Sequence, residues 1–417
     1  MSLELAIVLI AGAAGFYMAW NIGANDVANA MGTSVGSRAL TLRQAVLVAA
    51  VFELAGAVLV GTHVTETVRK GIIPPQVFSA DLDLYVYGML ASLIAASVWL
   101  HLATKFGLPV STTHSIVGAV AGFGIAAAGW GALNWPKMGQ IVLSWFTSPL
   151  CGGLIGFAVF RLVGKQILDA PRPVARIRRL GPVFVFATVF VIAMATIYKG
   201  LHNLSLNLGF SEAVGIAGGL GVTAALVAMG VIRRYLSGKD NLELGDQYQA
   251  VERIFRYLQV MTAASVAFAH GSNDVANAVG PLAGILNVVE KGEISGSAAV
   301  PFWILGLGGI GIVVGLATWG YKVIYTVGAR ITELTPTRGF SAEFAAATTI
   351  IVGSRMGMPI STTHVLVGSV IGVGFARGMA ALNLRVIRDI ASSWLITVPL
   401  TAVLSAVLFW IFRAVAP

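Results

Sequence analysis

The sequence predicts an all-α polytopic membrane protein with inverted-topology repeats, about eight crossings plus two re-entrant hairpins drawn from 12 helical segments. Three observations carry this. Of the 417 residues, 57% are hydrophobic and 11% are charged, where a soluble chain has about 25% charged, and mean hydropathy is +0.85. Apolar segments of roughly 20 residues recur from end to end, so the backbone must satisfy its hydrogen bonds inside a bilayer as helix. Finally, two polar motifs recur in the same order at nearly one spacing. Asn25-Asp26-Val27-Ala28-Asn29-Ala30 returns 248 positions later as Asn273-Asp274-Val275-Ala276-Asn277-Ala278, and Ser111-Thr112-Thr113-His114 returns 250 positions later as Ser361-Thr362-Thr363-His364.

Segment 4–24 follows Glu4 with no basic leader and reads as a retained first helix, not a cleaved signal peptide. Segment 43–62 is the second crossing. Segments 84–104 and 114–129 form the first hairpin, because Ser115 to Ala128 spans only about 21 Å of helix, short of a hydrocarbon core of about 30 Å, and follows the turn Gly107-Leu108-Pro109. Segment 138–160 closes the first copy. Two connecting helices, 183–200 and 211–232, precede 257–280 and 300–324; the second hairpin, 340–353 and 365–376 around Gly357-Met358-Pro359, precedes the final crossing, 389–412. The expected division is 1–165 as first repeat, 166–255 as connecting helices and cytoplasmic loops, and 256–417 as second repeat. Five crossings precede the second copy, so the copies insert with opposite orientation.

Charge orients the chain. Net charge is +9, yet position matters more than the sum: nineteen of the twenty-seven Lys and Arg fall on the face opposite the termini, which is therefore cytoplasmic, with both termini outside. Twelve full crossings would give the same sides. The polar stretch Ser237 to Glu252 reads as a cytoplasmic connector. This distribution points to a lipid bilayer and not to nucleic acid. The single cysteine, Cys151, excludes an intrachain disulfide.

The motifs carry the chemistry. A Ser-Thr-Thr run that follows proline and opens a short helix offers hydroxyls beside free N–H groups at the positive end of the helix dipole, a site for a tetrahedral oxyanion. Candidates for substrate binding are Asn25, Ser111, Thr112 and Thr113 with Asn273, Ser361, Thr362 and Thr363. Asp26 and Asp274 would repel an anion unless cations neutralise them. Asn29 and Asn277, one turn further on, add neutral oxygens, and a helix break near Gly23 or Gly271 would free carbonyls; a hard cation such as sodium fits these ligands. Glu53 and Glu343 are further buried-carboxylate candidates for a cation site or gate, although Glu343 could equally be solvated at the cytoplasmic boundary. His114, His270 and His364 lie beside the motifs and could carry protons, although helix capping or support of neighbours is the commoner role. The Gly118/Gly122 and Gly368/Gly372 pairs permit close helix contact, within the chain or between copies. There is no metal triad, nucleophile and base pair or nucleotide loop, so an enzyme is not expected.

These residues resemble the PiT inorganic phosphate transporters, whose sodium-coupled members include the animal type III phosphate transporters. The resemblance covers nearly the whole chain and rests on the two Asn-Asp motifs, the run Glu66 to Ile73 and the two Pro-x-Ser-Thr-Thr-His segments. It implies a symporter of inorganic phosphate in the cytoplasmic membrane, working by alternating access, with sodium ions co-transported, no other cofactor, and commonly a homodimer. Asp26, Asp274, Glu53, Glu343, Ser111 and Ser361 match positions that the family uses for ions or phosphate. Some bacterial members place His before the Asp and couple to protons or move metal-phosphate; Asn25 and Asn273 resemble the sodium-coupled branch. The short central loop departs from the long animal members. The competing expectations are a proton-coupled phosphate or sulfate carrier and an anion channel.

Overall fold

The computed structural model describes residues 3–60, 71–200, 208–294, 300–355 and 360–415. Glu66 to Lys70 and the turn Gly357 to Pro359 lie outside the described residues. Among those described, every regular element is helical. α1 (Leu3–Ile22) passes through a π-helical turn, Gly23–Val27, into α2 (Ala28–Gly36), so the first expected crossing becomes a rod of 33 residues from Glu4 to Gly36. α3 (Leu42–Val60) follows, then α4 (Leu82–Lys105), started by Asp81, whose side chain accepts from Leu84 N. The first short helix is α5 (Thr112–Ala128), and α6 (Trp135–Val163) closes the first copy. α7 (Pro173–Gly200) and α8 (Phe210–Tyr235) connect it to α9 (Leu244–Lys291). α10 (Phe302–Trp319), the single turn α11 (Tyr321–Tyr325), α12 (Pro336–Arg355), the second short helix α13 (Thr362–Ala376) and α14 (Leu384–Val415) complete the chain.

Eight helices are long and apolar enough to cross a membrane, but they are not the expected eight. α4, read as one arm of a hairpin, has 24 residues, about 36 Å of helix, and qualifies. α9, read as a crossing at 257–280, does not, although its 48 residues run to about 72 Å. The reason is the motif itself: His270, Ser272, Asn273, Asp274 and Asn277 dilute the apolar window. The two short helices, at 17 and 15 residues, remain too short to span.

Burial is inverted relative to a soluble protein. Along α6, Ser144, Ser148, Gly152 and Gly156 form the buried stripe, while Leu143, Phe146, Leu150 and Leu154 are exposed. α14 repeats this, with Ser393, Thr397, Thr401 and Ser405 inside and Leu395, Val403, Val407 and Trp410 outside. Small and hydroxylated residues let helices approach closely where water exclusion gives no driving force.

The copies interlock. α5 packs on α14, and α13 packs on α6, each through its glycine pair. A Cβ at Gly122 would stand 2.1 Å from Ala402 O, and one at Gly372 would stand 2.0 Å from Gly153 O. These glycines therefore serve contacts within the chain, which settles the alternative left open by their spacing. At the end of α2, Arg38 adopts φ +62°, the one positive φ on a non-glycine among the described residues, a conformation that costs an L-residue roughly 1 kcal/mol. Leu40 N to Ser34 O and Arg38 N to Val35 O close this helix end at 3.1 Å each.

Candidate functional site

The π turn puts Asp26 on the inner side of the first rod, beside both short-helix tips. Its Oδ2 accepts from Thr112 Oγ1 at 2.6 Å, and its Oδ1 accepts from Thr363 Oγ1. Asp274, on α9, is bonded in the opposite sense: Oδ1 accepts from Thr113 Oγ1 at 3.2 Å and Oδ2 from Thr362 Oγ1 at 3.1 Å. Each carboxylate thus holds both tips, and each tip holds both carboxylates. The amides reinforce the cross, since Asn29 Nδ2 donates to Thr363 Oγ1 at 3.2 Å and Asn277 Nδ2 donates to Thr113 Oγ1 at 3.2 Å and to Asp274 Oδ1 at 3.1 Å. Both Asp are almost fully buried, at 2% and 3% exposure, so charge-assisted bonds are what make their burial tolerable.

The tips owe their shape to Ser111 and Ser361. Each is an N-cap in extended backbone, accepting from His114 N at 3.2 Å and from His364 N at 3.3 Å. Behind the caps the two imidazoles meet edge to face at 4.4 Å, each against a tryptophan, Trp145 or Trp394. The threonine hydroxyls, expected to face an anion, instead donate to carboxylates. The physical reason is proximity: an ionised carboxylate is a stronger acceptor than any neutral group within reach.

Other expectations are redistributed. Asn25 does not face the tips; Nδ2 donates to Thr104 Oγ1 at 2.9 Å and Leu108 O at 3.0 Å, and Oδ1 accepts from Val110 N at 3.0 Å, so it holds the loop that leads into the first tip. Asn273, its counterpart, is half-buried. Gly23 and Gly271 do not break their helices open. α9 is continuous through Gly271, and both glycines allow backbone contact instead, with Ile312 O and Glu53 O respectively. Glu343 is fully buried, which removes the solvated alternative: Thr33, Ser34 and Thr262 hydroxyls donate to it at 2.6, 2.7 and 2.6 Å, and Gln259 Nε2 at 3.1 Å.

One central residue was given too small a role by its spacing. His270 lies between three carboxylates, with Nδ1 3.0 Å from Glu53 Oε2 and Nε2 3.2 Å from Asp274 Oδ2 and 3.6 Å from Asp26 Oδ2. The legible signal was its position four residues before Asp274 on one helix, which places both on the same face. Asp26, His270 and Asp274 offer three ligand atoms within 4.8 Å of one another, a spacing at which one cation can be held.

Residues 22–405 match the phosphate transporter family. The chain belongs to that family. This phosphate transporter family member is 46% identical to a Haemophilus influenzae protein provisionally named a phosphate permease, over 98% of this chain and 97% of that one. It is also 46% identical to inorganic phosphate transporter 2-1, chloroplastic, of Arabidopsis thaliana, over 96% of this chain and 71% of that one. Its fold is similar to a solved structure of the sodium-dependent phosphate transporter, with a TM-score of 0.89 and 42% identity, covering 98% of this chain and 100% of that chain. Family and fold are those of a multi-pass membrane transporter.

Proposed function

We propose that this chain is a sodium-coupled symporter of inorganic phosphate that works by alternating access. The observation that carries the reading is the crossed bonding of Asp26 and Asp274 to both tips. The solved neighbour's sodium dependence supports the choice of ion. In this reading sodium ions sit among the oxygens of Asp26, Asn29, Asp274 and Asn277, with Glu53 and Glu343 holding further cation charge. The Asn29 Oδ1, buried without a hydrogen-bond partner, is a ready ligand. Sodium takes over the carboxylate charge, and the hydroxyls of Thr112, Thr113, Thr362 and Thr363 are then released to donate to phosphate, beside the N-termini of α5 and α13. Ser111 and Ser361 fix the tips, and Asn25 and Asn273 shape the approach. Sodium thus binds before phosphate, and each ligand raises the affinity for the other.

The same reading includes inverted repeats at 1–165 and 256–417 joined by 166–255, both termini outside the cytoplasmic membrane, and a homodimer within the lipid bilayer. A cysteine introduced at Ser237 in a Cys151→Ala background is expected to resist an impermeant maleimide in intact cells and to react after permeabilisation; labelling in intact cells would reverse the orientation. A second reading, proton-coupled carriage of phosphate or sulfate, is favoured by one observation, the titratable His270 among Asp26, Asp274 and Glu53. Labelled phosphate uptake into proteoliposomes separates the two. Sodium-driven uptake without a proton gradient is expected, and uptake indifferent to sodium would overturn the first reading.

A further inference from the structure

A second polar region lies apart from the crossed tips. A pocket of about 580 Å³ opens where the ends of α2 and α8 meet the start of α9, and Arg38, Lys239, Arg253 and Arg256 line it. Two carboxylates share the rim. Asp246 is exposed, and Glu252 is committed elsewhere, accepting from Thr337 N and Thr337 Oγ1 at 2.8 Å each. Among the described residues none of the four cations forms an ion pair with a carboxylate; Lys239 Nζ instead sits 3.5 Å over the Tyr235 ring. The lining therefore carries four cations against two carboxylates, an excess of positive charge.

Two further observations tie this charge to the site. Ser37, also lining the pocket, is buried, and its hydroxyl donates to Gln259 Oε1 at 2.7 Å; Gln259 in turn donates to Glu343 at 3.1 Å. Glu343 is held by Thr33 and Ser34, on the same rod as Asp26 and seven to eight residues along it. A file of buried polar groups thus leads from the pocket floor to Glu343. The other observation is Arg38 itself. It occupies a left-handed position where glycine is the ordinary residue, and a strained position that retains a charged side chain points to a use for that charge.

We infer that this pocket is a second anion site, recognising a phosphate group, at the mouth that the proposed topology places in the cytoplasm. The inference rests on the proposed transport of phosphate and on the proposed orientation of the chain. Guanidinium forks match phosphate oxygens, and an open site of this kind holds the anion weakly enough to let it go. The group could belong to free phosphate arriving from the central site or to the headgroup of an anionic lipid.

Equilibrium binding of ³²P-labelled inorganic phosphate to the purified full chain, in sodium and in potassium buffers, tests this. The expected result is two classes of binding. One requires sodium and is lost in Asp274→Asn. The other is independent of sodium, weakens with added salt, survives in Asp274→Asn, and becomes roughly tenfold weaker in the double variant Arg253→Gln/Arg256→Gln. Both arginines are exposed, so the double variant is expected to elute from size exclusion as the native protein does. Arg38→Gly should raise the thermal midpoint while weakening the sodium-independent class; a raised midpoint with unchanged binding removes Arg38 from the site. Retention of phosphatidylglycerol by the native chain in mass spectrometry, lost in the double variant, supports the site with lipid as its source. A single class of phosphate binding abolished by Asp274→Asn, with no such lipid retention, overturns the second site and leaves the central reading intact. Sodium-dependent binding that survives Asp274→Asn does the reverse.

Discussion

The Thr363 hydroxyl donates to the carboxylate of Asp26 across 337 positions of sequence. Thr362, its neighbour, donates to Asp274. Two adjacent side chains on one tip therefore serve the two copies of the Asn-Asp motif, and a change at either carboxylate is felt at both tips.

Asp26→Asn and Asp274→Asn should each lower sodium-driven phosphate uptake by roughly 100-fold while leaving the fold intact. The amide oxygen still accepts one threonine hydroxyl, but the charge that holds the cation is gone, a loss of about 2–5 kcal/mol for a buried charged partner. Proteoliposome uptake with size-exclusion elution checks both halves, and near-native uptake by either variant would remove the cation site.

Thr363→Val keeps the shape and deletes the donor. Hydrogen bonds to charged groups contribute about 1.5–3 kcal/mol, so the half-saturating concentrations of sodium and phosphate should both rise about tenfold. Thr363→Ser should restore them. A rise for phosphate alone would mean that the hydroxyl does not serve the cation.

Gly23→Ala and Gly271→Ala should cost about 1–3 kcal/mol or more, because the new Cβ would meet Ile312 O at 1.8 Å and Glu53 O at 2.2 Å. Gly12→Ala, with nothing within 4 Å, should be neutral or stabilising by about 1 kcal/mol. Thermal midpoints in one detergent compare the three.

Glu333, outside the membrane segments, accepts from Arg338 and Arg377 at 3.2 Å each, and the Arg338 guanidinium foremost holds its carboxyl below the ordinary value of 4.5. A lowered folded value means that the stabilisation is present above that pH and fades as pH falls through the folded value. The side chain is 77% exposed, so Glu333→Gln should cost under about 1 kcal/mol at pH 7. The difference between native and variant midpoints should close in acid.

Much of this arrangement was legible before any coordinates. The motif offsets placed Asp26, Asp274 and both Ser-Thr-Thr tips at one centre, because repeated polar groups in an apolar chain have nowhere to be satisfied except against one another. What stayed hidden depended on contacts between distant segments. Glu343 looked as though it could be solvated because it falls at the expected cytoplasmic boundary; only the packing of α12 against α2 and α9 brings Thr33, Ser34, Gln259 and Thr262 around it. Asn25 looked like a ligand because it adjoins Asp26, yet the π turn aims it at the loop after α4. α9 falls short of the apolar length of a crossing because His270, Ser272, Asn273, Asp274 and Asn277 lie within it.

The bond between Asp26 and Thr363 also sets a schedule. At roughly 5–20 residues added per second, about 20 to 70 seconds of synthesis separate the two side chains. Through that interval the first rod carries a carboxylate whose second donor has not yet been made. The nascent chain must shelter that charge, by protonation, by trapped water or by the insertion machinery itself, until the last quarter of the protein arrives.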